Sequence, residues 1–411
     1  MMIDNDNSTE NNYFGPAPEN LTYLLSNISA EGSSKVRAPA SVSAELPAYI
    51  RIAATTVCAV ILTLGTAGNI LVATVVWKTK ELRNSTNLFL INLSLADLMV
   101  LLVCVPPVLV ELHSMPEVWI MGEGMCKAVP YVQLTAAHGS VLTILAISFE
   151  RYYAICQPLK AGYTCTQMRA LAIIVAIWLV AALFTTPVLF TVHYHLEETL
   201  LSGEPVPVCY QSIERIWQKV YYLSAIGVFY ALPFLILLAV YCHIARHLMA
   251  GSRVLASSSE ETQMRARKQV VLMLVAVVVS FFICLLPFRV FTIWLILSEP
   301  ADIISLGMET YYSLLYFCRL LVYINAALNP ILYNAISSKF RNSFIRLLRC
   351  SNMRSRLTRQ ITKGTTTSST ATTSGSVKKD TLLSHQQSNR QLRVTVNSNS
   401  LWNAGPKPEN V

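Results

Sequence analysis

The sequence predicts an all-α membrane protein, a seven-transmembrane helix bundle with a short amphipathic eighth helix. Composition is the first reason: 53% of the 411 residues are hydrophobic and only 13% are charged, against about 25% charged in an average soluble domain. Segmentation is the second. Apolar stretches long enough to cross roughly 30 Å of hydrocarbon as helix fall near 52–76, 88–112, 128–149, 170–192, 220–244, 270–297 and 311–333. The third is the segment that follows. Phe340, Phe344, Leu347 and Leu348 recur at helical spacing among Lys339, Arg341, Arg346 and Arg349, the pattern of a helix lying in a membrane surface.

Seven crossings put the termini on opposite sides, and basic residues mark the cytoplasmic one. Lys78, Lys80 and Arg83 follow the first stretch, and Lys160 and Arg169 the third. Arg246, Arg253, Arg265, Arg267 and Lys268 surround the loop after the fifth. From Lys339 onward, 13 Lys or Arg face only Asp380 and Glu409, an excess larger than the +9 of the whole chain. Residues 1–45 instead hold six acids and two bases. The expected orientation is an outer N-terminus and a cytoplasmic C-terminus, in the plasma membrane. The basic charge then lies against anionic inner-leaflet lipid and does not call for nucleic acid. Met1–Glu10 lacks the basic start and apolar run of a cleavable leader, so the first stretch is expected to act as its own insertion signal.

This divides the chain into an extracellular segment (1–50), the bundle (51–336), the surface helix (337–350) and a cytoplasmic tail (351–411). Asn7, Asn20 and Asn27 each begin an Asn-x-Ser/Thr triplet on the outer side, which makes them candidate glycan acceptors. Matching triplets at Asn84 and Asn92 fall on the cytoplasmic side or within a span and read as chance. Cys350 ends the surface helix, where an acyl chain would reinforce a weak anchor; an unmodified thiol is the alternative. The tail is too poor in large apolar residues to offset its ordering entropy and is expected to be disordered. Its Ser/Thr run at 365–374 would become strongly anionic on phosphorylation. Most of the ten Cys lie within spans as small apolar residues. Cys126 and Cys209 differ: both face the oxidising side, where a disulfide is allowed and would pin the loop after span four over the bundle's mouth.

Polar residues recur at comparable depth: Asn69, Asp97, Ser140, Asn325 and Asn329 on spans one, two, three and seven. An isolated carboxylate there is expensive, so Asp97 must pair with these groups, hold a cation or water, or take up a proton. Helix-to-helix glue is the simpler reading of one polar residue per span. Pro107, Pro187, Pro233, Pro287 and Pro330 interrupt spans two, four, five, six and seven, and each permits a kink. At the cytoplasmic end of span three, Glu150-Arg151-Tyr152 sets two opposite charges side by side. Charge at a bilayer centre costs about 2.5–3.5 kcal/mol on insertion scales, so this triplet reads as functional, with an inert ion pair as the alternative.

These residues resemble the rhodopsin-like G-protein-coupled receptors over about 50–350. The matching motifs are Gly68-Asn69, Leu93-Ser94-Leu95-Ala96-Asp97, Glu150-Arg151-Tyr152, Trp178, Pro233 with Tyr241, and Asn329-Pro330-Ile331-Leu332-Tyr333. The resemblance implies that Arg151 and Tyr241 meet the G protein or each other on activation. It implies that Asn329 and Tyr333 relay the change, and that Asp97, Ser140, Asn325 and Asn329 hold an allosteric sodium ion in the resting state. No other cofactor is expected. More narrowly, Thr86–Glu111, Phe149–Cys165 and Phe281–Phe291 resemble arthropod ecdysis-triggering hormone receptors, relatives of the thyrotropin-releasing hormone, neuromedin U and ghrelin receptors. That resemblance implies an amidated neuropeptide ending in Pro-Arg-x-amide and signalling through Gq and calcium. Arrestin and receptor kinases would act on the Ser/Thr-rich tail.

Two positions depart from the family pattern. Leu285 stands where most relatives carry a Trp two residues before Pro287, although Phe281 remains one turn below. Arg267 stands where some relatives place an acid that restrains Arg151, so the resting state must be held another way. Other functions fit poorly. A retinal Schiff base needs a Lys where Tyr323 stands, and amine receptors use a carboxylate where Gln133 stands. No inverted repeat suggests a transporter. No nucleophile motif, metal-ligand cluster or phosphate loop suggests an enzyme, and Arg151 cannot exchange protons near neutral pH. The outer half offers Glu111, Gln133, Arg289, Tyr316 and Arg319 as candidate peptide contacts. Glu111 pairing with Arg319 is the competing reading. The expected mechanism is a population shift between two bundle states, span six hinging near Pro287 so that its Arg265–Gln269 end swings outward.

Overall fold

The computed structural model describes residues 46–82, 84–115, 118–198, 205–251, 258–338 and 340–347. Asn7, Asn20, Asn27, Arg83, Arg253, Lys339, Cys350 and the 351–411 tail lie outside the described residues. Among those described, seven helices are long and apolar enough to cross a membrane: Ala48–Lys78, Ser85–His113, Gly122–Cys156, Gln167–Phe190, Ile216–Ala250, Glu261–Leu297 and Met308–Ile336. They are spans one to seven. Most outrun the apolar stretch that predicts them, because a helix continues into the polar interface once its own backbone bonds are made. Between spans four and five, strands β1 (Val192–Glu198) and β2 (Pro205–Gln211) form an antiparallel hairpin with Tyr194 opposite Cys209.

The prolines act in three different ways. In span two the turn Val100–Cys104, just before Pro106 and Pro107, is a wide π turn. In span five the π turn Gly227–Ala231 precedes Pro233, and the Leu232 N–H bonds the Gly227 carbonyl five residues back. A proline ring clashes with the carbonyl four residues before it, and a widened turn moves that carbonyl aside. In span four the helix tightens instead, to a 3-10 turn over Thr186–Phe190 around Pro187. Pro287 and Pro330 sit inside continuous helix, as does Pro130 of span three, which the sequence reading passed over.

Close packing follows from small residues. A Cβ on Gly68 would lie 2.9 Å from Pro330 Cβ, and one on Gly65 would lie 2.9 Å from Leu101 Cδ1 and 3.1 Å from Ala327 Cβ. Glycine at both places lets span one press against spans two and seven, as small residues do where lipid is as apolar as the protein interior. Buried polar bonds add specificity. Asn92 accepts from Trp178 Nε1 at 2.7 Å and donates to Thr143 Oγ1 at 2.8 Å, joining spans two, three and four. Asn69 donates 2.9 Å bonds to the Gly65 and Ala326 carbonyls, joining one and seven. After span seven, residues 340–347 are helical. Phe340 is buried with its ring 5.9 Å from that of Tyr333, and Phe344 and Leu347 pack on the same core.

Candidate ligand and coupling sites

The hairpin is tied down at several points. Cys126 and Cys209 form a disulfide with a Cα–Cα distance of 5.8 Å, the pairing that an oxidising outer side allows. Trp119 N–H donates to the Pro207 carbonyl at 2.7 Å, and Val118 bridges Val208, so the short loop after span two extends the sheet. Beneath it, Thr191 and Gln211 both bond the Tyr222 hydroxyl, fixing the hairpin's base to span five. Tyr49 donates to Glu309 at 2.5 Å and Thr55 meets His113 at 3.1 Å, closing the outer ends of spans one, two and seven.

Among the candidate peptide contacts, Arg319 Nη1 reaches Glu111 Oε1 at 3.1 Å and Oε2 at 2.9 Å, and its guanidinium lies 6.0 Å from the Tyr316 ring centre. The two charges neutralise each other across spans two and seven, so Glu111 is not a free acid awaiting a ligand cation. Tyr316 is buried beside the pair and Gln133 is half-buried on span three. Arg289 differs. It is 8% exposed, its Nε is buried without an acceptor, and no ion pair among the described residues includes it.

At mid-depth Asp97 is buried and accepts from Asn329 Nδ2 at 2.8 Å. Ser140 and Asn325 are also buried, and Asn325 Oδ1 and Ser94 Oγ lack partners. Asn69 donates its Nδ2 to backbone carbonyls, and its Oδ1 is buried without a partner. The buried Tyr333 hydroxyl has no partner. Phe281 and Leu285 are both buried in the surrounding core.

At the cytoplasmic end Glu150 is nearly saturated. It accepts from Ser85 Oγ and, at 2.7 Å, from Thr86 Oγ1. Arg151 Nη2 donates to the same Thr86 Oγ1 and lies 3.8 Å from Glu150 Oε2. The charged pair is thus closed by span two rather than by span six. Cys165, in the loop after span three, sits behind it. Burial and, second, the Glu150 carboxylate push its thiol above the ordinary value, and the thiol stays a weak donor 3.9 Å from the Glu150 carbonyl. Tyr241 bonds Ser148 at 3.0 Å and not Arg151. Tyr152 packs its ring 5.4 Å from that of His243. Gln269 of span six donates to the Ile336 carbonyl at 2.5 Å and to Ser338 Oγ at 3.0 Å.

A family model described as 7 transmembrane receptor (rhodopsin family) matches residues 68–333. The chain belongs to this family. It is a receptor rather than an enzyme, a multi-pass membrane protein. It is 32% identical over 289 residues to a QRFP-like peptide receptor of Branchiostoma floridae, covering 69% of this chain and 74% of the relative. It is 31% identical over 312 residues to the thyrotropin-releasing hormone receptor of Gallus gallus, covering 70% and 76%. With the human growth hormone secretagogue receptor type 1 it shares 34% over 306 residues, covering 74% and 82%.

In this receptor the sequence-selected residues form separate groups along the bundle. Glu111, Tyr316 and Arg319 meet; Asp97 meets Asn329; Glu150 meets Arg151. Four contributors escaped the sequence reading. Thr86 was visible only as the start of a matching stretch, Ser85 only within the stray Asn84 triplet, and Asn92 only as the start of another. His138 on span three is fully buried, and a lone polar ring within an apolar run was the one signal that could have marked it.

Proposed function

We propose that this receptor binds an amidated neuropeptide of the ecdysis-triggering hormone type and signals through a Gq-class G protein and intracellular calcium. What carries the reading is the likeness, over more than two thirds of the chain, to receptors whose names specify peptide ligands. The outer half supports it: Gln133 stands where a carboxylate would select an amine, and Arg289 is a buried cation whose partner can come from a ligand. In this reading Glu111, Gln133, Arg289, Tyr316 and Arg319 line the peptide site under the disulfide-held hairpin, with the N-terminus outside and its Asn7, Asn20 and Asn27 glycosylated. Asp97, Ser140, Asn325 and Asn329 hold a sodium ion. The unpartnered oxygens of Asn325 and Ser94 beside the Asp97 carboxylate fit a hard cation that takes oxygen ligands, and the ion would supply charge compensation to the buried acid.

Agonist favours a state in which span six pivots near Pro287, Gln269 releases Ile336, and Arg151, Tyr152 and Tyr241 turn toward the G protein. Asn329, Pro330 and Tyr333 relay the change past Phe281. The cytoplasmic 337–350 segment lies on membrane lipid, held by an acyl group on Cys350, and the phosphorylated tail engages arrestin after receptor kinases act. The test is calcium release in cells expressing the full chain, challenged with Pro-Arg-x-amide peptides, thyrotropin-releasing hormone, neuromedin U-like peptides and unrelated amidated peptides. A selective response to the Pro-Arg-x-amide ecdysis-triggering type is expected. A response only to thyrotropin-releasing hormone or a neuromedin U-like peptide would replace the ligand assignment by the second reading, which the thyrotropin-releasing hormone receptor match over 70% of this chain favours.

A further inference from the structure

Among the buried polar atoms without partners are a complementary donor and acceptor, Arg289 Nε and His138 Nε2. His138 Nδ1 lies 3.1 Å from Thr185 Oγ1, and the Thr185 hydroxyl already donates to the Ala181 carbonyl at 2.7 Å. A hydroxyl has one proton, so Thr185 accepts and His138 Nδ1 donates. The neutral ring therefore presents Nε2 as a lone pair. The ring is held in place, stacked on Phe229 with centroids 3.9 Å apart and edge-on to Phe184 at 5.8 Å. Tyr230, the neighbour of Phe229, donates to the Phe282 carbonyl of span six at 2.8 Å, so the wall that holds the ring is bonded to the span that carries Arg289, and Arg289 acts electrostatically on His138 and Tyr230. An acceptor suits this place, since a second positive charge beside a buried guanidinium would be costly.

We propose that His138 is the positioning residue for Arg289: its Nε2 accepts the Arg289 Nε–H through one water and aims the guanidinium's Nη groups at a carbonyl on the ligand's inner end. The carbonyl meant is that of a terminal carboxamide, so the inference rests on the amidated-peptide reading. A pocket of this design grips an acceptor and offers nothing to a cationic terminus. Thr185 belongs to the same device, because it selects the ring tautomer. His138 itself does not touch the peptide.

The test uses the full receptor in cells, with a Pro-Arg-x-amide peptide and thyrotropin-releasing hormone, each made with its carboxamide and in a form whose terminal carboxamide is replaced by hydrogen. Surface labelling normalises every variant. His138→Phe and Arg289→Gln are each expected to lower carboxamide-peptide potency about tenfold to a hundredfold. The double variant should be no worse than the weaker single, and the truncated peptide should be equally weak on all of them. His138→Gln, which keeps an acceptor, should recover to within a few-fold. Where His138→Phe fails to reach the surface, Thr185→Val serves in its place, with a smaller loss confined to the carboxamide form. Full additivity of the two single variants overturns the inference, as does a His138 effect equal on both peptide forms. A wild-type response with unchanged terminus preference in the variants defeats this inference alone. Silence of the wild-type receptor to every amidated peptide defeats the ligand reading and this inference together.

Discussion

Arg151 at the cytoplasmic end and Arg289 in the outer half are the same side chain in opposite circumstances. Arg151 sits beside Glu150 and bonds Thr86, and Glu150 is filled by Ser85 and Thr86 in turn. Arg289 belongs to no ion pair among the described residues, and its Nε is buried without a bonded acceptor there. A charge at depth is tolerated when it is paired or when it serves a partner, so the two ends divide the work of a switch. In the proposed mechanism one end is closed by internal bonds that activation breaks, and the other is open for a bond that the ligand makes. Arg319, bonded to both Glu111 oxygens, shows that the outer half can also satisfy an arginine from within the protein.

The contrast can be broken most forcefully at Arg289. Replacing it with Leu should lower peptide potency by about 10–100-fold, the loss of one charge-assisted bond. The same change should raise the melting point of the purified ligand-free receptor, because an uncompensated buried charge is gone. A fall in both would show that Arg289 has a counter-charge at rest. Arg319→Leu should do the reverse to stability. It strands Glu111, at a cost near the lower end of about 3–5 kcal/mol, since the two side chains keep 28% and 25% of their surface. Glu111→Gln added to Arg319→Leu should restore most of it, and thermal melting of single and double variants measures the coupling.

At the closed end the effects are smaller. Glu150→Gln keeps an acceptor oxygen for one of the Ser85 and Thr86 hydroxyls, turns the other oxygen into a donor and removes the charge beside Arg151, and basal calcium output should rise several-fold. Unchanged basal output would count against the pairing. Smallest is Gln269→Ala, which removes the bonds to Ile336 and Ser338. About 1 kcal/mol lost from the resting state shifts its population roughly fivefold. Spin labels on spans six and seven at their cytoplasmic ends should report a longer mean distance without agonist, and an unmoved distance distribution would show that Gln269 does not hold span six.

The spans, the Cys126–Cys209 disulfide and the Asp97 contact with Asn329 were legible because each rests on a local or one-dimensional signal. Long apolar runs have one structural solution in hydrocarbon, and two Cys on the outer side can be read by compartment. The partners of Glu150 were not legible. Ser85 and Thr86 are ordinary hydroxyl residues, sixty-odd positions away, and only the packing of span two on span three brings them to the carboxylate. The same holds for Arg289 and Arg319. As residue types they are identical, and nothing local says that Glu111 faces one and not the other.

The sequence by itself determined that this chain crosses the membrane seven times and belongs among receptors, because backbone satisfaction in lipid and a set of spaced motifs leave little freedom. Only the tertiary structure decided which buried charges are spent and which are open. A side chain's partner depends on helix rotation and crossing, and those are set by contacts such as Gly68 against Pro330 that lie far apart in the chain.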